Sequence, residues 1–154
     1  MDIKEFLSPG DAQVDLTVSD KACLLKELAD RAASSLSLPA DRILSELLKR
    51  ETLGSTGTGG GIAIPHARIP GLDKPFGILV RLRQPIDFNA IDSQPVDLLF
   101  LLLLPVTSDK EQLNALASVS RILRNSDSVR KLRRTRDSEG LFRAMVLDTA
   151  KSGE

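Results

Sequence analysis

Val14, Leu16 and Val18 alternate with Asp15 and Thr17, the period-two pattern of a half-buried strand. The period then changes. Leu25, Leu28, Ala29, Ala32 and Leu36 share one face at helical spacing, and Ser19 or Asp20 is placed to cap that helix. Leu38-Pro39 interrupts the pattern and opens a second helix whose inward face is Ile43, Leu44, Leu47 and Leu48. Ile62-Ala63-Ile64 is too short to show a period, but its position before Pro65 predicts extended backbone. Residues 76–82 and 96–104 read as strands. The second is continuously apolar after Asp97, which predicts a strand covered on both faces. Ser108 and Glu111 form a capping-box pair, followed by Leu113, Leu116, Ala117 and Leu123 at helical spacing. Further helices are expected over 128–134 and 138–148, the last with Phe142, Met145 and Val146 inward. The order β-α-α-β-β-β-α-α-α predicts a three-layer α/β/α domain with a small mixed sheet, because a strand buried on both faces needs helices on each side.

Composition narrows this picture. The 154 residues suit one domain over residues 1–154. Tyrosine and tryptophan are absent and five phenylalanines are the only aromatic residues, so the core is aliphatic and platforms for stacking bases are scarce. Twenty-one basic residues balance twenty-one acidic ones, which gives no global attraction to nucleic acid or membrane. Cys23 is the single cysteine, so neither an internal disulfide nor a cysteine zinc cluster is expected. The start, Met1-Asp2-Ile3-Lys4-Glu5, lacks the layout of a secretory signal, and the longest apolar run is far short of a membrane span. A cytoplasmic location is expected, with no metal and no cofactor.

The candidate chemistry is concentrated in residues 54–68, where five glycines within eight residues run into Ile62-Ala63-Ile64-Pro65 and the only histidine, His66. Glycines let backbone N–H groups approach an anion closely, and a neutral imidazole is a nucleophile near neutral pH. Known phosphate-loop patterns fail here. After Gly54 and Gly59, Gly60 and Gly61 stand where a P-loop needs lysine and serine or threonine. A dinucleotide fingerprint from Gly57 would need glycine at position 62, where Ile62 stands. A lone histidine after a strand is more often structural, but the glycine run, Arg50 before it and Arg68 after it favour phosphoryl chemistry, which depends on positioning and positive charge. Arg50 itself has two readings. It is a cation complementing the end of its helix, or a guanidinium reaching an oxyanion held by the loop. The arginines between Arg121 and Arg136 read first as a solvated helical face. Their functional alternative is a docking patch for an acidic protein, or, less favoured, a nucleic-acid surface.

Residues 50–66, Arg-Glu-Thr-Leu-Gly-Ser-Thr-Gly-Thr-Gly-Gly-Gly-Ile-Ala-Ile-Pro-His, resemble the active-site signature of phosphotransferase-system enzyme IIA domains of the mannitol/fructose type, and most of all their nitrogen-regulatory (Ntr) branch. The run Phe88-Asn89-Ala90-Ile91-Asp92-Ser93-Gln94-Pro95-Val96-Asp97-Leu98-Leu99-Phe100 resembles the same family, and the likeness extends over about residues 3–150. The resemblance implies a mixed sheet between helical layers and a phosphoryl group accepted on His66 from a histidine phosphocarrier protein of HPr type. Enzyme I charges that carrier from phosphoenolpyruvate. It further implies that Arg50 supports the phosphoryl group and that Ser55, Thr56, Gly57 and Gln112 are phosphate-binding candidates. Phosphorylation would control regulatory partners in nitrogen, carbon and potassium physiology. One departure stands out. Relatives often carry a second active-site histidine where this chain has Gln112, which donates hydrogen bonds but does not titrate. That opens an alternative, a protein-binding module that keeps the fold without transferring phosphate.

Overall fold

The structure, a computed structural model, describes residues 2–107 and 109–152. In chain order the elements are β1 (Ala12–Leu16), α1 (Lys21–Leu36), α2 (Ala40–Thr52), β2 (Gly57–Gly59), β3 (Ile62–Ala63), β4 (His66–Arg68), β5 (Phe76–Ile86), β6 (Val96–Leu104), α3 (Asp109–Arg124), α4 (Ser126–Arg134) and α5 (Ser138–Ser152). Short 3-10 turns at Ile3–Glu5 and Pro9–Asp11 precede β1.

β6 is the spine of a mixed sheet ordered β1-β5-β6-β3-β2. It runs antiparallel to β5 and parallel to both β3 and β4. β3 pairs with Leu98 and Leu99, and β4 with Leu102, Leu103 and Leu104, so the two short strands occupy successive parts of one edge of β6. Alternate side chains of β6 feed two cores, as the period of a strand requires. Leu99, Leu101 and Leu103 pack on the α1–α2 side with Leu28, Ile43 and Leu47. Leu98, Phe100, Leu102 and Leu104 pack on the other side with Val119, Leu132 and Met145. The unbroken apolar run predicted as doubly covered is therefore buried between two helical layers. Phe100 also meets Phe6 edge-on, ring centroids 6.0 Å apart, which pins the N-terminal turn to the second core.

The predicted mixed α/β architecture is the observed one, with two strands added to the predicted order. β2 and β4 are three residues each, too short to carry a period, and they are strands because β3 and β6 present hydrogen-bonding partners. The first strand also begins earlier than the alternation at Val14 implies. Asp15 adopts a positive φ of 58°, and the register with β5 shifts between Gln13 and Leu16. Val14 accordingly packs on one core and Leu16 on the other, so their alternation records a kink and not one continuous face. Of the two capping candidates for α1, Asp20 is the cap, accepting from the Cys23 N–H at 2.8 Å. The capping box at Ser108 and Glu111 lies outside the described residues.

Candidate functional site

α2 ends with an oddity of charge. Lys49 and Arg50 stand in its last turn, where the helix dipole favours cations, but Glu51 follows them at the same negative end. A tertiary cation explains it. Lys21, the first residue of α1, places Nζ 2.9 Å from Glu51 Oε2, with side chains only 19% and 6% exposed. The same ammonium lies 4.4 Å from the centroid of the Phe88 ring. Glu51 accepts the Thr56 N–H at 3.2 Å and the Thr56 hydroxyl as well. One carboxylate thus ties α1 and α2 to the start of the glycine-rich hairpin.

That hairpin, β2–β3, delivers His66. Gly57 packs so closely on the following loop that a Cβ there would lie 2.8 Å from Ala90 Cβ. The Ile64 N–H donates to Thr56 O at 3.1 Å and closes the base of the hairpin. Pro65 has no N–H to give, but its carbonyl accepts the Leu102 N–H at 2.9 Å, and His66 continues pairing beside Leu102.

The His66 ring is half-buried, with Nδ1 2.8 Å from the Ile64 carbonyl oxygen. A carbonyl oxygen only accepts, so Nδ1 carries the proton and Nε2 holds the lone pair of the neutral ring. Burial pushes the His66 pKa below the ordinary 6.5, and the Arg50 charge lowers it further. The Ile64 hydrogen bond and Glu51 act in the opposite direction. The ring is therefore neutral at neutral pH.

His66 opens on a cleft of about 620 Å³, walled by α2, β4, the end of β6 and α3. Arg50, Lys49 and Arg68 line it, and Glu46, also in the lining, pairs with Lys49 at 3.3 Å. Arg50 folds back over its own helix end, Nη1 donating to Gly54 O at 2.8 Å. Both readings of Arg50 thus apply to one side chain: it complements the helix terminus and it lines the cleft beside His66. Gln112 lines the same cleft, is 4% exposed, and donates from Nε2 to the Pro105 carbonyl. Leu53 and Leu113 stand at the rim, 84% and 68% exposed.

His66, Arg50 and Gln112 are brought together. Ser55, Thr56 and Gly57 are not among the residues lining the cleft. Ser55 Oγ donates to Phe88 O at 2.9 Å and accepts the Gly57 N–H at 3.0 Å, while Thr56 gives both its N–H and its hydroxyl to Glu51. These three, named as phosphate-binding candidates, brace the hairpin through these bonds. Sequence reasoning missed Lys21, Glu51, Leu53 and Leu113. The signal for Glu51 was present, as an acid at the wrong end of a helix is a sign of a tertiary cation. Among the described residues, no group of three or more His, Cys, Asp and Glu side chains is placed to hold a metal ion, and no helix is long and apolar enough to cross a membrane.

Because His66 is the only histidine, its ring resonances titrate without overlap. The wild-type midpoint is expected below 6.5, and Arg50→Gln is expected to raise it by removing a neighbouring positive charge. As pH falls through 6.5 the unfolded chain takes up a proton that the folded ring still refuses. Stability is consequently lost from there down to the folded midpoint, and is flat above. A wild-type midpoint at or above 6.5, or no rise in the variant, contradicts this electrostatic account.

Comparison with known proteins bears on this geometry. The sequence model of a family described as "Phosphoenolpyruvate-dependent sugar phosphotransferase system, EIIA 2" matches residues 5–146. A nitrogen regulatory protein of Bradyrhizobium diazoefficiens is 41% identical over 150 residues, covering 97% of this chain and 98% of that one. One from Pseudomonas aeruginosa is 37% identical over 145 residues, 94% of each chain. Among solved structures, the nitrogen regulatory protein IIA-Ntr from Neisseria meningitidis superposes with a TM-score of 0.88 at 31% identity, over 93% of this chain and 98% of that one. The mannitol IIA of Escherichia coli shares the fold at a TM-score of 0.72 and 14% identity, over 90% of this chain and 98% of that one.

Proposed function

Since the chain belongs to the phosphoenolpyruvate-dependent sugar phosphotransferase system EIIA 2 family, we propose that it accepts a phosphoryl group on Nε2 of His66 from a histidine phosphocarrier protein of HPr type. We infer also that the phosphorylated and unphosphorylated forms differ in their binding to regulatory partners, with nitrogen regulation the role suggested by the names of its relatives. The observation that carries the reading is the Nδ1 contact with the Ile64 carbonyl, which leaves the Nε2 lone pair on a ring that lines one cleft with Arg50.

The step balances simply. The Nε2 lone pair attacks phosphorus, the nitrogen–phosphorus bond of the donor phosphohistidine breaks, and the donor ring keeps that electron pair. His66 retains its Nδ1 proton throughout, so the acceptor needs no general base. Arg50 faces the negative charge of the transferred oxygens, and such preorganised charge supplies most of the catalysis in phosphoryl transfer. Gln112 offers its remaining amide N–H as a neutral donor. Ser55, Thr56 and Gly57 contribute by holding the hairpin that aims His66. Leu53 and Leu113 give the donor protein an apolar rim on which to seat and exclude water.

The test is intact-mass analysis after incubation with phosphoenolpyruvate, enzyme I and the carrier. One acid-labile phosphoryl group per chain is expected. Gln112 carries a second reading, a binding module without transfer, because a glutamine there does not titrate as the relatives' histidine does. Wild-type protein that gains no mass beside a fully charged carrier would establish that reading instead.

A further inference from the structure

A second cleft lies at the other end of β6. Asp97 is the second residue of the strand and Leu104, at the His66 cleft, is its last, a separation of about 23 Å at 3.3 Å per residue. This cleft, about 630 Å³, is framed by the Gly59-Gly60 turn, the end of α3 and the face of α4. Four exposed arginines line it, Arg124, Arg130, Arg133 and Arg134. The edges of Ile62, Leu123 and Val129 form its apolar floor.

The charges do not cancel. Arg133 is taken by Asp97, with Nη2 2.8 Å from Oδ1 and Nε 3.2 Å from Oδ2, and Nη2 also donates to Gly60 O at 2.7 Å. Arg130 pairs with Asp127 at 3.1 Å. Arg124 donates from Nε to Ser120 O at 3.4 Å and faces no carboxylate, and none is paired with Arg134 among the described residues. Two of the four guanidinium charges thus remain uncompensated around an apolar floor. Arg133 has a structural task as well. Gly61 has a positive φ of 79°, and a Cβ there would meet Arg133 Nη2 at 2.5 Å, so the arginine lies flat on the hairpin turn that leads to His66.

We propose that this Arg124–Arg134 cleft is a docking site for an acidic segment of a partner protein, one in which carboxylates flank an aliphatic side chain. Charge complementarity selects the class. Carboxylates answer Arg124 and Arg134, and an aliphatic side chain answers Ile62, Leu123 and Val129. Nucleic acid suits the site less well. None of the lining residues is aromatic, and Asp97 and Asp127, paired with Arg133 and Arg130, set carboxylates beside the site that would repel a phosphate backbone. Because the cleft shares no lining residue with the one at His66, a partner held here leaves the histidine open to its phosphoryl donor.

The test titrates isotope-labelled full-length protein with a short peptide of alternating glutamate and leucine, followed by amide shifts in a proton–nitrogen spectrum. Saturable shifts are expected at Gly59, Gly60, Ile62 and along 123–134, weakening as salt rises. The double variant R124E/R134E is expected to bind about tenfold or more weakly, as reversal of two facing charges predicts. A well-dispersed spectrum and undiminished phosphate uptake at His66 confirm that it is folded, and R124Q/R134Q should show an intermediate loss. The proposal is overturned by shifts confined to the His66 cleft, by equal affinity of wild type and R124E/R134E, by absence of saturable binding, or by tighter binding of a DNA duplex than of the peptide.

Discussion

His66→Ala is expected to take up no phosphate at all from a charged carrier, while remaining folded. The expectation is absolute because no other histidine exists to take over. Its structural cost is small, for reasons visible in the strand. β4 is held by backbone pairing to Leu102, Leu103 and Leu104, and by the Pro65 carbonyl, none of which needs the ring. Only the Nδ1 hydrogen bond to Ile64 is lost, about 0.5–1.5 kcal/mol at most for a bond of this kind. Intact mass and a thermal melt, measured on the same sample, check both halves. Labelling of the alanine variant at the wild-type level would remove His66 from the chemistry.

Arg50→Ala is expected to slow phosphate acceptance by about a hundredfold or more, the usual consequence of removing one preorganised group that stabilises transition-state charge. Two losses are combined in this variant and must be separated. The guanidinium stabilises the loop through Gly54 O and also lines the cleft beside His66. Arg50→Lys separates them. It keeps a positive charge near the ring but lacks the planar fork that spans a carbonyl and a phosphoryl oxygen together. Single-turnover rates should therefore fall in the order wild type, lysine, alanine, with all three melting within about 2 kcal/mol of one another. An alanine variant that accepts phosphate at the wild-type rate would reduce Arg50 to a helix-end cation.

How much of this could be read from the chain depends on what each residue answers to. β6 was legible because burial on both faces leaves its mark on every position from Leu98 to Leu104. The helices of the α1–α2 layer were legible for the same reason, through one apolar stripe each, except that Leu48, expected inward on α2, is 43% exposed. β2 and β4 were not, because Gly57–Gly59 and His66–Arg68 have no pattern of their own and are strands only by virtue of their partners. His66 and Arg50 stood out by type and neighbourhood. Gln112 did not: a glutamine within an amphipathic helix carries no chemical signal, and only resemblance to the family singled it out. The partners of Ser55 and Thr56 were not legible either: hydroxyls in a glycine-rich loop suggest phosphate, and their hydrogen bonds here run to Phe88 O and Glu51. Whether a polar side chain in such a loop faces a ligand or the protein is decided by residues distant in sequence. In this molecule Glu51 and Lys21 decide it.

The central claim is the identity of one nitrogen. The Ile64 carbonyl holds Nδ1 as a donor, so the proposed transfer places the phosphoryl group on Nε2. A long-range proton–nitrogen correlation spectrum of isotope-labelled protein, recorded before and after phosphorylation by the carrier, reads this directly. The account predicts phosphorus coupling at Nε2 of His66 with the Nδ1 proton retained. Coupling at Nδ1, or phosphate gained with no change at either ring nitrogen, would contradict it.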